Sequence, residues 1–315
     1  MKAIMYHYIR TYDEKYPFFK FLDVENFRRQ LDFFKDNFGF VTRSDWDNIV
    51  NRNKKIESVE GKILLTFDDA MQCHYEFVLP ELQKRGLWGM FFVPTFPYEN
   101  QNILDVHRIH LLCGAYKGKD LLKALLEIYD EDMLSDKKIK EFREDTYKEQ
   151  SNFQGVSQFK RILNYFISYK YRKILIDELF KIFGASFDFN KFYVSEENLK
   201  KIYYCGNIIG SHTVNHPVMS KLNIEDQNIE IKKSFNFIKS INCLKEKIYC
   251  HPYGGFHSFN QYTLDILKKE KVKYAFNVEP RDINDQDFSN SLYSLPRYDC
   301  NKFPFGLVSK TKKNI

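Results

Sequence analysis

The sequence predicts an α/β fold whose parallel strands carry a functional site at their carboxyl ends. The apolar run at residues 62–67 is typical of a buried strand, and it ends in two adjacent acids, Asp68 and Asp69. A helix over residues 75–85 and a second apolar strand over residues 88–93 complete a βαβ unit. Because ligands of open α/β sheets bind beyond the carboxyl ends of the strands, the two acids are the first candidates for a site.

The two acids can share one site only if the chain bends after Phe67, because neighbouring strand residues point to opposite faces. The alternative is that one of them caps the following helix. Apolar periodicity and caps predict the remaining elements, with Ser44 expected to cap a helix. The other strands are expected at residues 3–8, 247–250, 274–278 and 292–297. The other helices are expected at residues 24–38, 195–204, 224–241 and 262–269.

Residues 100–195 interrupt this alternation with long, charged segments of helical periodicity. Amphipathic faces run through residues 121–129 and 159–167, and a third segment covers residues 177–183. The sequence therefore predicts one catalytic domain over residues 1–315 that contains a helical insertion. The insertion is expected either to lie over the crevice or to form a dimer surface.

Composition narrows the class of protein. The chain has 315 residues, 43% of them hydrophobic, and a net charge of +6, as expected of a soluble globular protein that could take an anionic ligand. The basic residues are too scattered for nucleic acid, and the basic tail at residues 310–313 is expected to be a solvated terminus. We expect a cytoplasmic location, because the sequence shows neither a signal-peptide core nor a membrane span. Six scattered cysteines without a CxxC pair agree with reduced thiols.

A pair of histidines forms a second group of candidate site residues. His212 and His216 are four residues apart, which would place both imidazoles on one side of a helical turn. Two imidazoles and one carboxylate, with positions left open for water, form a catalytic site for a divalent cation. Asp68 or Asp69 would supply the carboxylate. The alternative is that both histidines serve only the local structure.

Three motifs together resemble the polysaccharide deacetylases, the NodB-homology group or carbohydrate esterase family four. They are Thr66-Phe67-Asp68-Asp69, Ser211-His212-Thr213-Val214-Asn215-His216-Pro217 and Pro252-Tyr253-Gly254. The resemblance covers roughly residues 1–95 and 195–305, and the insertion lies outside it. It implies a distorted, incomplete (β/α) barrel and metal-dependent hydrolysis of an N-acyl amide on a sugar.

The resemblance also implies roles for individual residues. Asp69, His212 and His216 would hold one divalent ion, with Zn²⁺ expected first and Ni²⁺, Co²⁺ or Fe²⁺ as alternatives. Asp68 would be the general base, and the backbone N–H of Tyr253 would contact the developing oxyanion.

Two features of the family are absent from their usual places. Cys250 stands where many members have an arginine, so Arg297 is the candidate to orient the catalytic carboxylate. No histidine follows His257, although the family's general acid is a late histidine. Some members carry that acid on an N-terminal strand in a rearranged order, which His7 resembles. The alternative for His7 is a structural position on its strand.

Four further histidines are weighed against this assignment. His107 and His110 are three residues apart on one helical face of the insertion, where they are candidate substrate contacts and rival general acids. His251 flanks a glycine-rich loop and is expected to line the pocket. His74 is expected to be structural.

The sequence therefore predicts a metal-dependent hydrolase that removes an acetyl or formyl group from a sugar. The expected substrate is a soluble or nucleotide-linked precursor for a surface glycan. The alternative is a metal- or carbohydrate-binding pseudoenzyme of the same fold, although Asp68 beside a full set of ligands favours an enzyme. A homo-oligomer through the insertion is expected, and neither nucleic acid nor a membrane span is.

Overall fold

The computed structural model describes residues 1–134 and 155–308, so the basic tail and part of the predicted insertion lie outside the described residues. Strands β1 to β9 cover, in chain order, Lys2–Tyr6, Ile9–Arg10, Leu22–Asp23, Ile63–Asp68, Met90–Val93, Ile208–Ser211, Ile248–Cys250, Tyr274–Phe276 and Tyr298–Asp299. Helices α1 to α12 cover Val24–Asn37, Arg43–Val50, Leu79–Lys84, Phe96–Asn100, Asp105–Ala115, Gly118–Ile128, Val156–Arg161, Tyr169–Ile182, Glu196–Tyr204, Ile224–Ser240, Gln261–Lys269 and Asp285–Asn290. Among the described residues, no helix has the length and apolar character that crossing a membrane requires.

The described residues fall into two compact units. The first unit contains residues 1–11, 21–102 and 189–308, and the second contains residues 12–20, 103–134 and 155–188. The second unit consists of helices α5 to α8 around a core of its own, to which Leu121, Phe159 and Leu179 belong. One catalytic domain over the whole chain, with an insertion at residues 100–195, stays a prediction.

The first unit is built on a parallel sheet of seven strands in the order β8-β7-β6-β5-β4-β1-β9. Side chains of β4 alternate between two cores. Leu65 and Phe67 pack with residues of α1 and α3, whereas Leu64 packs on the other face with Met90 and Phe92. Because side chains on a strand repeat every two residues, Asp68 lies on the face of Leu64.

A short segment links the two edges of this sheet. Leu295 forms an isolated bridge with Phe276 at the β8 edge, and Tyr298 pairs with Ile4 of β1. Pro296 lies between them and has no N–H to continue a ladder, so the barrel is incomplete at this point. The expected strand at residues 292–297 is therefore wrong, and the last strand is β9. The predicted fold class, a distorted and incomplete barrel, is confirmed.

The cap of α2 also differs from the prediction. Thr42, not Ser44, is the N-cap, and its Oγ1 accepts a hydrogen bond of 3.0 Å from the backbone N–H of Asp45. Both residues have the small hydroxyl that suits an N-cap, so composition alone did not distinguish them.

Candidate active site

The two adjacent acids meet in one site because the chain turns sharply at the end of β4. The strand ends at Asp68, and Asp69 and Ala70 have φ angles of +80° and +50°. The backbone N–H of Asp69 still bonds the carbonyl of Phe92 on β5 at 2.9 Å. The sequence analysis placed the required bend after Phe67. In the structure the bend falls one residue later, after Asp68. Both acids are buried, at 2% and 3% exposure.

Arg297 binds Asp68 through both terminal nitrogens of its guanidinium group. Its Nη1 donates to Oδ1 and its Nη2 to Oδ2, each at 2.8 Å, and the side chain is fully buried. Nη1 also donates to Thr66 Oγ1 at 3.0 Å. Burial alone raises the pKa of Asp68, but the charge and hydrogen bonds of Arg297 outweigh it and lower that pKa to about 2. Asp68 is therefore ionised at neutral pH.

Cys250 explains how an arginine from a distant segment reaches this carboxylate. Its Sγ lies 2.8 Å from Arg297 Nη2 and 3.6 Å from Asp68 Oδ2. The thiol is fully buried, and burial raises its pKa, so it stays neutral beside the ion pair. A small side chain at the end of β7 leaves room for a guanidinium that arrives from the segment before β9.

The two histidines lie on an irregular loop, and the predicted helical turn is wrong. His212 follows β6 directly, while Thr213 and His216 have φ angles of +68° and +52°. Thr213 Oγ1 accepts a hydrogen bond of 3.0 Å from the backbone N–H of His216. This turn brings the two imidazole centroids to 4.7 Å from each other.

These imidazoles and Asp69 form a group that could hold one metal ion, with one ligand atom from each residue and all three atoms within 4.8 Å of one another. His212 Nε2 and His216 Nε2 lie 3.6 and 3.5 Å from Asp69 Oδ1. Ligand atoms of a tetrahedral ion with bonds of about 2.0–2.1 Å lie about 3.4 Å apart, and both distances to Asp69 Oδ1 are close to that value.

The tautomer of His212 agrees with a ligand role. Its Nδ1 lies 2.9 Å from the carbonyl oxygen of Cys250, so it carries the proton and leaves Nε2 deprotonated. Nε2 is buried and has no hydrogen-bond partner among the residues that the structure describes. Burial lowers the pKa of His212, which favours the neutral ring that a metal requires.

His7 follows β1 and faces both carboxylates. Its Nε2 lies 3.9 Å from Asp68 Oδ2 and 4.0 Å from Asp69 Oδ2, and its side chain is 36% exposed. His74 Nε2 donates to the carbonyl oxygen of His7 at 2.7 Å. Burial lowers the pKa of His74 to about 4, so the ring is neutral at physiological pH. His74 therefore fixes the backbone that carries His7.

Tyr253 and Gly254 form a tight turn beside the histidine loop. Tyr253 has a φ of +63°, and its ring centroid lies 4.9 Å from that of His216. Gly254 has a φ of +67°, and a Cβ at this position would lie 2.2 Å from Val278 Cγ2. Only glycine fits there, which fixes the path of the backbone after Tyr253.

The remaining candidates occupy different surroundings. His251 is 1% exposed, its Nε2 donates to the carbonyl oxygen of Tyr293 at 2.8 Å, and its ring stacks on Phe259. This enclosure favours packing over contact with a substrate. His107 and His110 lie on α5 in the second unit, where His107 is fully buried and His110 is half-buried.

Sequence analysis missed Glu230, which lies on α10 and hydrogen-bonds the loop between the two histidines. Burial raises the pKa of its carboxyl group, and the hydrogen bonds from the loop lower it in part. A signal was present, because Glu230 lies beside Ile231 on the buried face of α10. A charged residue within an apolar face indicates a buried polar contact.

The fold resembles those of several solved deacetylases. A Streptococcus pyogenes deacetylase, PplD in complex with acetate, has 16% identity and a TM-score of 0.56 over 95% of this chain and 91% of its own. A de-N-acetylase from Aggregatibacter actinomycetemcomitans has 14% identity and a TM-score of 0.52 over 100% and 96%. At these identities the likeness concerns the fold.

The sequence comparison gives a partial match to one family. Residues 181–275 match the family described as polysaccharide deacetylase. This range covers less than a third of the chain. The matched range includes both histidines and the Pro252-Tyr253-Gly254 motif, while the paired acids Asp68 and Asp69 lie outside it. No curated protein sequence matches the chain. The family prediction is confirmed.

Proposed function

We propose that the chain is a metal-dependent hydrolase that removes an N-acyl group from a sugar. The observation that carries the proposal is an ionised carboxylate, Asp68, next in sequence to Asp69, whose carboxylate lies with two imidazoles in a group that could hold one divalent ion. Asp69, His212 and His216 would hold that ion. Zn²⁺ is the first expectation for two imidazoles and one carboxylate, with Ni²⁺, Co²⁺ or Fe²⁺ as alternatives.

Each residue around this site would have a separate role in amide hydrolysis. With a pKa of about 2, Asp68 is a weak base, and Arg297 holds it ionised and in one orientation. A bound divalent ion would compensate for the weak base, because it lowers the pKa of water toward neutrality and polarises the amide carbonyl. Asp68 would accept the proton of the attacking water. The backbone N–H of Tyr253 would donate to the oxyanion.

The departing amine needs a proton, because an unprotonated amine is a poor leaving group. We assign this proton to His7, which is partly exposed and faces the two carboxylates. His107 and His110 are the alternative donors or substrate contacts from the second unit. His251 stays a weaker candidate for substrate contact, because it is enclosed.

The substrate class follows from the family and from charge. The family and a solved relative that is described with acetate support an N-acetyl sugar, and an N-formyl sugar is the close alternative. The net charge of +6 would favour an anionic substrate. We therefore propose a soluble or nucleotide-linked precursor of a surface glycan, handled in the cytoplasm. A homo-oligomer through the helical insertion is a further prediction.

A substrate panel tests this function. Metal-free protein loaded with one equivalent of Zn²⁺ should release acetate or formate from at least one of three substrates. These are N-acetylglucosamine oligomers, nucleotide-linked N-acetyl sugars and their N-formyl analogues. Asp68→Asn should release about a hundredfold less or none. Stoichiometric metal binding without release from any substrate would instead support the pseudoenzyme alternative.

A further inference from the structure

The loop between the two candidate histidine ligands is bound to helix α10 through the carboxylate of Glu230. Glu230 of α10 accepts three hydrogen bonds from two consecutive residues of that loop. The backbone N–H groups of Val214 and Asn215 each donate to Oε2 at 2.8 Å, and Asn215 Nδ2 donates to Oε1 at 2.5 Å. Glu230 is 6% exposed, so these bonds are largely shielded from water.

A second anchor lies one helical turn further along α10. Ser211 Oγ lies 2.6 Å from Ser234 Oγ, and Ser234 Oγ in turn donates to the carbonyl oxygen of Ile231. Ser211 therefore donates to Ser234, and Ser211 Oγ accepts the backbone N–H of Thr213 at 3.2 Å. The start of the loop is fixed by Ser234 and its middle by Glu230.

This anchoring matters because the loop backbone is held in an unfavourable conformation. Two of its residues, Thr213 and His216, have left-handed φ angles that non-glycine residues seldom adopt. Such a conformation persists only when surrounding contacts impose it. The three bonds to Glu230 act on the segment between the ligands, so their loss would let His216 move relative to His212.

We propose that Glu230 is a positioning residue that sets the affinity of the site for its divalent ion. Its carboxylate binds Val214 and Asn215, which lie between the two histidines, and it acts by fixing the distance between the two imidazoles. The inference rests on the metal site of the proposed function. It goes further, because it assigns metal affinity to a residue outside that site.

Two substitutions separate the hydrogen bonds from the charge. Glu230→Leu removes every acceptor at similar volume. Glu230→Gln removes the charge but can keep three bonds, because its amide oxygen can accept both backbone N–H groups while its Nε2 donates to a flipped Asn215 side chain. The leucine variant should therefore be affected more strongly than the glutamine variant.

Glu81→Leu is the matched control. Glu81 is also 6% exposed and also lies on a helix of the first unit, but it binds Arg28 and Arg85. Its loss should lower the unfolding midpoint of the metal-free protein without changing the affinity for metal.

The measurement is the dissociation constant of Zn²⁺ by equilibrium dialysis, at a temperature where all variants are folded. The visible spectrum of bound Co²⁺ serves as a second readout. Glu230→Leu should weaken Zn²⁺ binding about 10–100-fold, the usual range for partners of metal ligands, and should alter the Co²⁺ spectrum. Glu230→Gln should weaken Zn²⁺ binding by less. If the leucine variant does not fold, the glutamine variant alone tests the positioning role of Glu230.

The outcomes distinguish this inference from the proposed function. If the parent protein binds no ion, the proposed metal site is wrong. If the parent binds one ion and both Glu230 variants bind it with the same affinity and spectrum, the site stands and the positioning role is refuted. An equal loss of affinity in Glu81→Leu would also refute it, because any buried carboxylate would then have the same effect.

Discussion

Replacing Arg297 with methionine should destabilise the first unit much more than the loss of an ordinary ion pair. Arg297 is fully buried and binds both oxygens of Asp68 at 2.8 Å. Removing one partner of such a pair costs about 3–5 kcal/mol, because the other charge stays buried and uncompensated. Arg281 is the matched control, since it binds both oxygens of Asp287 at 2.7 and 2.8 Å but is 37% exposed. Arg281→Met should cost less, because Asp287 is also buried but keeps hydrogen bonds from the backbone N–H of Asn284 and from Ser291 Oγ.

The effect of losing Arg297 should depend on pH with a definite sign. The folded-state pKa of Asp68, about 2, lies below its ordinary value. The ion pair therefore contributes its full stability above that ordinary value, and the contribution is lost as the pH falls toward about 2. In Arg297→Met, burial would raise the pKa of Asp68, so protonation would relieve the unpaired charge in mild acid. The stability deficit should be greatest at neutral pH and should shrink as the pH falls.

Hydrogen exchange at the amides of β4 measures this deficit directly. A local probe is needed because two compact units need not unfold together, so one global midpoint can mix two transitions. The double variant Asp68→Asn/Arg297→Met should recover part of the loss, since it removes both charges. If Arg297→Met costs no more than Arg281→Met at neutral pH, the guanidinium does not hold Asp68 in the way described.

Three further substitutions test the catalytic assignments. Asp68→Asn should reduce acyl release about a hundredfold while metal content by elemental analysis stays close to that of the parent, and full activity would exclude Asp68 as the base. His7→Ala should keep metal and ligand binding but lose turnover; an active His7→Ala beside an inactive His107→Ala or His110→Ala would place the acid in the second unit. Gly254→Ala should lower both folding stability and turnover, because its Cβ has no room in the present turn, and unchanged values for both would show that the turn is not fixed.

Motifs identified most of the candidate side chains that the structure brings together. The paired acids end a strand, and the two histidines lie four residues apart after another strand, so their residue types were visible without tertiary structure. The backbone turns that bring these side chains together were not visible in the sequence. Left-handed φ angles at Asp69, Thr213 and His216 replace the expected helical turn and move the bend by one residue. Such angles are imposed by tertiary contacts, and apolar periodicity carries no information about them.

Long-range partners were the least predictable part of the site. Arg297 could be singled out because Cys250 stands where many polysaccharide deacetylases have an arginine. Its local structure was not predicted, because a strand was expected at residues 292–297 and the segment is irregular. His74 was expected to be structural, and Glu230 stood on an apolar helix face, but the partners of both are backbone groups distant in sequence and could not be predicted. These contacts form only when α10 and the helical turn that begins at His74 pack against the sheet.

The most direct test of the central claim is acetate release by metal-free protein as Zn²⁺ is added, with an N-acetyl sugar that the enzyme accepts. The account predicts that release rises linearly, stops rising at one ion per chain and stays absent in His212→Ala/His216→Ala. Release without added metal, or equal release by the double variant, would contradict a metal site made by Asp69, His212 and His216.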